Sequence, residues 1–447
     1  MSEILLLTSA APEKSPFYTV EKRPPLGLGS LISVLRENGH IVHFIDRYLG
    51  MDIDPFDYAI EYNIDYVGIY SNTICLNDTK FLIRTFSQIR GMGEWCGKIM
   101  VGGPHVSIGA ETFQDMGVDH LVAGEGEIVI LDIVEGRTED QVISGKRMTS
   151  EELDRLPFQP WDIFTDMPYD YDCDWMDATP TFTMNTSRGC PFNCAFCSVD
   201  SIWGTKYTRF GAERILDEIE LLYNKYNAKG IYFREDNFTL DKKRVDEFCK
   251  GIKERGINIS WACETRVDTL DKQHIKTMAD AGCSAFYLGV ESGSSRILDI
   301  VNKKIDTDQI RNVVRWGKET GIRSYCSLIT GIPSETFQDY KMSKKLMKEI
   351  NPYKYAFNVF VGIPFSDLYL ESYDNEGYEH IDNVGLLYLP GYDIKSEFFY
   401  GKKIHEITDL KFDRNLWSDY DKELYKRIHL KRLLRFGSRI LSRLGLL

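Results

Sequence analysis

The sequence lacks any run of about twenty apolar residues, the length a membrane-crossing helix needs, so no span is expected. It lacks a basic leader. Its opening Ile4-Leu5-Leu6-Leu7 run is too short for a secretory signal, and a reducing cytoplasm is the expected compartment. Positive charge is scarce: 54 Lys and Arg face 67 Asp and Glu, a net charge of −13, which argues against general nucleic-acid binding. Ten cysteines in 447 residues do not make a disulfide framework. Cys75, Cys96, Cys173, Cys249, Cys263, Cys283 and Cys326 are scattered singly, and no second Cys-x-x-Cys exists to hold an auxiliary cluster. The apolar fraction of 43% and charged fraction of 27% are those of an ordinary globular chain of two to four domains.

The other three cysteines are closely spaced, in Ser187-Arg188-Gly189-Cys190-Pro191-Phe192-Asn193-Cys194-Ala195-Phe196-Cys197. A Cys-x3-Cys-x2-Cys loop offers three thiolates, natural ligands of an iron–sulfur cluster. A 4Fe–4S cube held by three cysteines keeps one iron open to a substrate. A zinc knuckle would normally gather four ligands, and no nearby His supplies the fourth.

This loop resembles the signature of radical S-adenosylmethionine enzymes. The resemblance implies a 4Fe–4S cluster on Cys190, Cys194 and Cys197. S-adenosylmethionine would chelate the open iron, and its reductive cleavage would give a 5′-deoxyadenosyl radical.

To about residue 135 the chain alternates strand and helix signals. Ile4–Leu7, His43–Ile45, Tyr66–Tyr70, Lys98–Val101 and His120–Ala123 read as strands, with helices at Gly27–Glu37 and Phe81–Ile89. This pattern predicts a parallel, doubly wound sheet whose ligand lies beyond the carboxyl ends of the strands. Pro24-Pro25-Leu26-Gly27-Leu28-Gly29, Gly102-Gly103-Pro104-His105 and Gly124-Glu125-Gly126-Glu127 resemble the Rossmann-like cobalamin-binding domain often fused to radical enzymes. By that resemblance Ser71 to Thr73 and Gly102, Gly103, Pro104 and His105 would line the corrin and its nucleotide tail, with Gly124 and Glu125 beside them. The Asp-x-His-x-x-Gly motif that gives cobalt a histidine is absent; Asp46-Arg47-Tyr48-Leu49-Gly50 has the wrong spacing. Many radical-enzyme relatives also lack it.

Residues 136–180, acidic and rich in Tyr and Pro, are expected to be a linker, with Tyr169–Trp175 either a packed surface connection or a lid that reaches the active site. Residues 181–375 alternate again. Strands are read at Phe182–Asn185, Gly230–Phe233, Ile257–Cys263, Ser284–Val290, Arg323–Thr330 and Tyr355–Val361, separated by helices at 211–226, 241–255, 271–281, 306–319 and 335–349. Six units predict a partial (β/α)6 barrel with its chemistry at the carboxyl ends of the strands. S-adenosylmethionine needs an acid for its ammonium, an Arg or backbone for its carboxylate and an acceptor for its ribose. Glu235 and Asp236, Arg266, and Glu291 or Ser292 follow strands two, three and four in those roles, and the backbone near Phe196 would meet adenine. Pro364-Phe365-Ser366-Asp367 departs from the Pro-x-Pro-Gly-Thr pattern the resemblance leads one to expect.

Residues 376–447 are expected to be a mostly helical extension. From Asp421 to Leu447 eight Lys or Arg stand against two acids, and Arg427, Lys431, Arg435, Arg439 and Arg443 recur every four residues opposite a Leu/Ile face. Such a basic amphipathic helix suits an anionic membrane surface, a partner, or capping of the acidic barrel. The combined reading is a cobalamin-dependent radical S-adenosylmethionine methyltransferase. It would act on an unactivated carbon of a small-molecule or lipid substrate and draw on an external electron donor. The alternatives are a radical cyclase, ring-rearranging enzyme or oxidoreductase, or a non-catalytic corrinoid or redox carrier.

Overall fold

The computed structural model describes residues 1–10, 22–51, 53–363 and 366–369. Two six-stranded parallel sheets carry it. The first contains β1 (Glu3–Thr8), β2 (Ile41–Ile45), β3 (Tyr66–Tyr70), β4 (Lys98–Gly102), β5 (His120–Gly124) and β6 (Val142–Gly145), in the order β2-β1-β3-β4-β5-β6. Ile4 to Leu7 are wholly buried, as a strand covered by helices on both faces must be. Strand order reverses between β1 and β3, so the crevice beyond Thr8 and Tyr70 is the ligand position of such a sheet. β6 falls inside the segment expected to be a linker. It is a short edge strand with alternately exposed residues, too weakly apolar to stand out in the sequence.

The second sheet is an unclosed barrel. β7 (Thr181–Met184) leads into a small hairpin of β8 (Ser187–Arg188) and β9 (Thr208–Arg209). β10 (Gly230–Phe233), β11 (Ser260–Thr265), β12 (Cys283–Glu291), β13 (Arg323–Thr330) and β14 (Lys354–Val359) follow. The order β14-β13-β12-β11-β10-β7 leaves β7 and β14 as edges. The helices between strands have the boundaries local chemistry dictates. Helix Thr307–Thr320, for example, begins where Asp306 and Gln309 form a reciprocal capping box and ends at left-handed Gly321. Its Ile310, Val313 and Val314 pack into the core behind the sheet.

Residues 136–180 are a packed structural element. Trp161, Phe164 and Tyr169 enter the barrel core and meet Leu26, Phe44 and Leu49 from the first domain. A Cβ on Gly29 would stand 2.8 Å from Phe164, so only glycine lets helix Leu26–Glu37 lie this close to the segment. Tyr169–Trp175 does not form a lid over the carboxyl ends. Arg323 and Lys354, at the starts of β13 and β14, donate to the carbonyls of Trp175 and Asp174, so this stretch closes the opposite, amino-terminal end. There Trp175 stands edge-on to Tyr232 at 4.9 Å and approaches Tyr287 and Tyr325.

Among the described residues no helix is long and apolar enough to cross a membrane. The expected 376–447 extension and basic helix lie outside the described residues, as do Pro364 and Phe365.

Candidate functional site

The cluster loop leaves β8 at Gly189, where a φ of +78° and the Lys206 carbonyl, which would stand 2.4 Å from a Cβ, exclude a side chain. The loop is pinned from a distance. Ala195 donates its amide to the Val301 carbonyl at 3.0 Å and accepts at its own carbonyl from the Leu368 amide at 2.8 Å. Phe196 sits at the rim of an apolar cluster of Ala195, Ile297, Val301, Ile332, Phe360 and Leu368. Cys190, Cys194 and Cys197 are all half-buried free thiols. Burial raises Cys190 and pushes Cys197 up to about 12, so thiolates form here when a cationic centre such as cluster iron stands beside them. Among the described residues no three His, Cys, Asp or Glu side chains gather closely enough to share a single ion. A cube takes each thiolate on a different iron, and three thiols in one loop fit it.

The barrel motifs meet this loop at the strand ends, but their side chains divide the work differently from the sequence expectation. Glu235 is fully buried. It accepts from the Thr186 hydroxyl at 2.8 Å and pairs with Arg244 at 3.3 Å, both partners almost without solvent contact. Asp236 meets solvent in the cleft. The protein crowded around this exposed residue partly desolvates its carboxyl and, with the adjacent Glu235 charge, pushes it up to about 6, against the pull of the Gly189 amide and Arg147. Of the two acids, Asp236 is therefore the one open to an ammonium group. Asn237, wholly buried, is an acceptor for Thr265 at 3.3 Å, while its amide nitrogen finds no protein partner.

Arg266 lies across the cluster loop. Its guanidinium covers the Phe192 ring at 3.7 Å, forks onto Asp268 at 2.8 and 2.9 Å and donates to Cys194 Sγ at 3.3 Å. A hydrogen bond to a cysteine sulfur is a means of tuning a cluster. Glu291 holds a left-handed φ of +60° beside a register shift in β12, a strained position for a non-glycine residue. Its carboxylate pairs with buried Lys303 at 2.7 Å, and that ammonium lies 5.8 Å from the Phe196 ring. Ser292 is buried and bonded to Ser343 at 3.1 Å. Lys303, Asp268 and Phe192 went unread in the sequence because isolated residues between elements give no periodic signal.

In the first domain the β1/β3 crevice is edged by hydroxyls and tight turns. Ser71 is fully buried and accepts from Thr79, which also bonds Ser9 at 2.8 Å. Gly103, at φ +105°, lies against the Ser71 carbonyl, where a Cβ would come within 2.6 Å. Gly102 accepts the Ser71 amide, and Pro104 starts helix Pro104–Gly109. His105 points away from any cobalt role. Its ring nitrogens meet Thr73 at 3.1 Å and Thr112 at 3.4 Å, and burial pushes it down to about 4, keeping it neutral. Backbone donors and hydroxyls without an offered imidazole suit a corrin that takes no protein histidine. Gly124 is left-handed at φ +82°. Glu125 turns from the crevice toward the barrel, where it accepts from Arg147 and the Met148 amide, both at 2.7 Å.

The two domains touch beside the Gly-Gly-Pro-His turn and the cluster loop. Helix Pro104–Gly109, which opens on the Gly-Gly-Pro-His turn, packs against helix Val199–Trp203, which follows Cys197. The helix that follows β4 and the helix that follows the cluster loop are thus direct neighbours.

Residues 184–347 match the radical SAM superfamily, and residues 20–134 match the B12 binding domain. The chain is 31% identical over 349 residues to an uncharacterized methyltransferase of Pyrococcus horikoshii, covering 73% of this chain and 74% of that protein. It is 26% identical over 296 residues to an anaerobic magnesium-protoporphyrin IX monomethyl ester cyclase of Rubrivivax gelatinosus. That match covers 60% of this chain and 52% of the cyclase, about half its length. The cobalamin-dependent S-adenosylmethionine radical enzyme OxsB, solved with aqua-cobalamin bound, has the same fold: TM-score 0.72 at 17% identity, over 97% of this chain and 71% of that one. The two matched domains imply a 4Fe–4S cluster, S-adenosylmethionine and cobalamin as cofactors. The chain belongs to the radical SAM superfamily, among the enzymes that carry a B12-binding domain ahead of the barrel.

Proposed function

We propose that this enzyme is a radical methyltransferase that places a methyl group on an unactivated carbon of a small-molecule or lipid substrate. The observation that supports the proposal is the packing of helix Pro104–Gly109, which follows the Gly-Gly-Pro-His turn, on helix Val199–Trp203, which follows the cluster loop. The methyltransferase relative from Pyrococcus horikoshii supports it.

When bound, the cofactors supply reductive sulfonium cleavage and a transferable methyl group. The protein's own residues position and shield. Arg266 steadies Cys194, while Lys303 neutralises the strained Glu291 beside Phe196. Trp175 plugs the far end of the barrel and keeps water out of the lumen. The lumen above it presents Tyr232, Tyr287 and Tyr325. The Tyr232 hydroxyl donates to Glu264 at 2.5 Å, and this lining suits a flat or apolar skeleton bearing a hydrogen-bond donor.

Anaerobically reconstituted enzyme with an external one-electron donor and substrate is expected to release 5′-deoxyadenosine and S-adenosylhomocysteine together. Substrate candidates come from mass spectrometry of metabolites in cells with and without the gene, as pairs differing by one CH2. Deoxyadenosine with no methylated product would instead favour a radical cyclase or other rearrangement, a reading that the cyclase of Rubrivivax gelatinosus supports.

A further inference from the structure

The Gly124-Glu125-Gly126-Glu127 motif ends the fifth strand of the cobalamin domain, yet neither acid turns to the crevice. Glu127 and Glu125 both pair with Arg188, the residue two before Cys190: Arg188 Nη2 contacts Glu127, and Nη1 lies 3.3 Å from Glu125 Oε2.

Arg147, just past β6, extends the same network. Its Nη1 donates to Glu125 at 2.7 Å. Its Nη2 donates to the carbonyls of Arg188 and, at 3.1 Å, Lys206. The guanidinium lies 4.9 Å from the Trp203 ring and would stand 2.9 Å from a Cβ on Gly189. One side chain just past the edge strand of the first sheet therefore grips the chain on both sides of the three cysteines. The side chains of Glu125 and Glu127 are 2% and 6% exposed and those of the two arginines 16% and 14%, so water screens these pairs little.

We propose that Glu125, Glu127, Arg147 and Arg188 form a clasp that fixes the cobalamin domain in register with the cluster loop. Arg147 and Arg188 are then positioning residues for chemistry that needs both cofactors at one substrate. The assignment rests on the reading that the two cofactors act in one reaction. It differs from a stabilising role because it predicts a change in the separation of the cofactors.

The experiment compares wild type, Glu127→Gln, Arg147→Gln and Arg188→Gln, each reconstituted anaerobically and assayed for iron and cobalamin. Pulsed electron paramagnetic resonance then reads the dipolar coupling between cob(II)alamin and the reduced cluster. Variants holding both cofactors are expected to show a shifted or broadened distance distribution. Their ratio of 5′-deoxyadenosine to S-adenosylhomocysteine should rise about tenfold or more, the cost of misplacing reactants. Fully loaded Glu127→Gln and Arg147→Gln with the wild-type distribution and ratio would overturn the clasp, even if they melt earlier. Should single variants fail to load, the charge swap Glu127→Arg with Arg188→Glu decides. A restored wild-type distribution upholds the clasp, and an unrestored one or failed loading overturns it. If wild type itself makes no S-adenosylhomocysteine, the methyltransferase reading falls while the dipolar measurement still tests the clasp.

Discussion

The Tyr169 hydroxyl donates to Asp46 Oδ2 at 2.6 Å, closing a loop of 123 residues. Asp46 follows β2 of the cobalamin domain and also accepts from the Thr8 hydroxyl at 2.8 Å, while Tyr169 is buried in the core of the barrel. Burial and the Asp46 charge hold the phenol well above its usual range, so it stays a donor. Tyr169→Phe leaves the carboxylate one donor short and is expected to cost about 1–3 kcal/mol, lowering the melting temperature of the apoprotein. An unchanged melt would show that water replaces the phenol.

Glu235 is expected to behave as a structural acid. Glu235→Gln strands the buried Arg244 guanidinium, whose side chain is 1% exposed, and should destabilise the fold by about 3–5 kcal/mol. Thermal melts of the apoprotein check this. A variant with a normal melt and a raised KM for S-adenosylmethionine would return Glu235 to the role of ammonium acceptor. Asp236→Asn should give that second pattern, a raised KM with little loss of stability.

Arg266→Gln removes the donor to Cys194 and the fork to Asp268. Loss of such a supporting partner typically costs about 10- to 100-fold in metal affinity or activity. Iron content and the rate of deoxyadenosine release are the measures, and the cluster potential should fall as a hydrogen bond to sulfur is withdrawn. A fully loaded variant with the wild-type potential would mean that the bond to sulfur does not tune the cluster and that the guanidinium serves its contacts with Phe192 and Asp268.

His105 carries a pH prediction. Burial lowers its folded-state pKa from 6.5 to about 4. Between those values the unfolded chain takes up a proton that the folded one refuses. His105 therefore contributes stability in full above about pH 6.5 and loses it as pH falls toward 4. His105→Gln should flatten that part of the stability–pH curve relative to wild type. The cob(II)alamin resonance spectrum of His105→Gln should match that of wild type, because the ring bonds Thr73 and Thr112; a changed nitrogen splitting would make it a cobalt ligand.

Periodic features were readable in the sequence. The runs Gly230–Phe233 and Arg323–Thr330 are the observed β10 and β13, and the cysteine spacing singled out the cluster loop. The strand read as Ile257–Cys263 in fact begins at Ser260: left-handed Gly256 turns the chain, and Ile257 and Ile259 are buried on the way in. What escaped was pairing between distant residues. Nothing in Glu125-Gly126-Glu127 announces Arg147 and Arg188 as partners, and nothing in Asp46 announces Tyr169. Glu235 and Asp236 are adjacent and alike in the sequence, but one strand end buries the first and opens the second. The tyrosine- and tryptophan-bearing 169–175 stretch has the composition of a lid, and only the strand starts at Arg323 and Lys354 reveal which end it covers.

The anchors of Ala195 bear on the order of synthesis. Val301 and Leu368 leave the ribosome more than a hundred residues after the three cysteines. During translation the thiols emerge before their cage exists, in a growing chain whose domains fold from the amino terminus. The backbone anchors of the cluster loop can therefore form only after most of the barrel has been translated, so the loop is the last-fastened part of the site although it is among the first to be made.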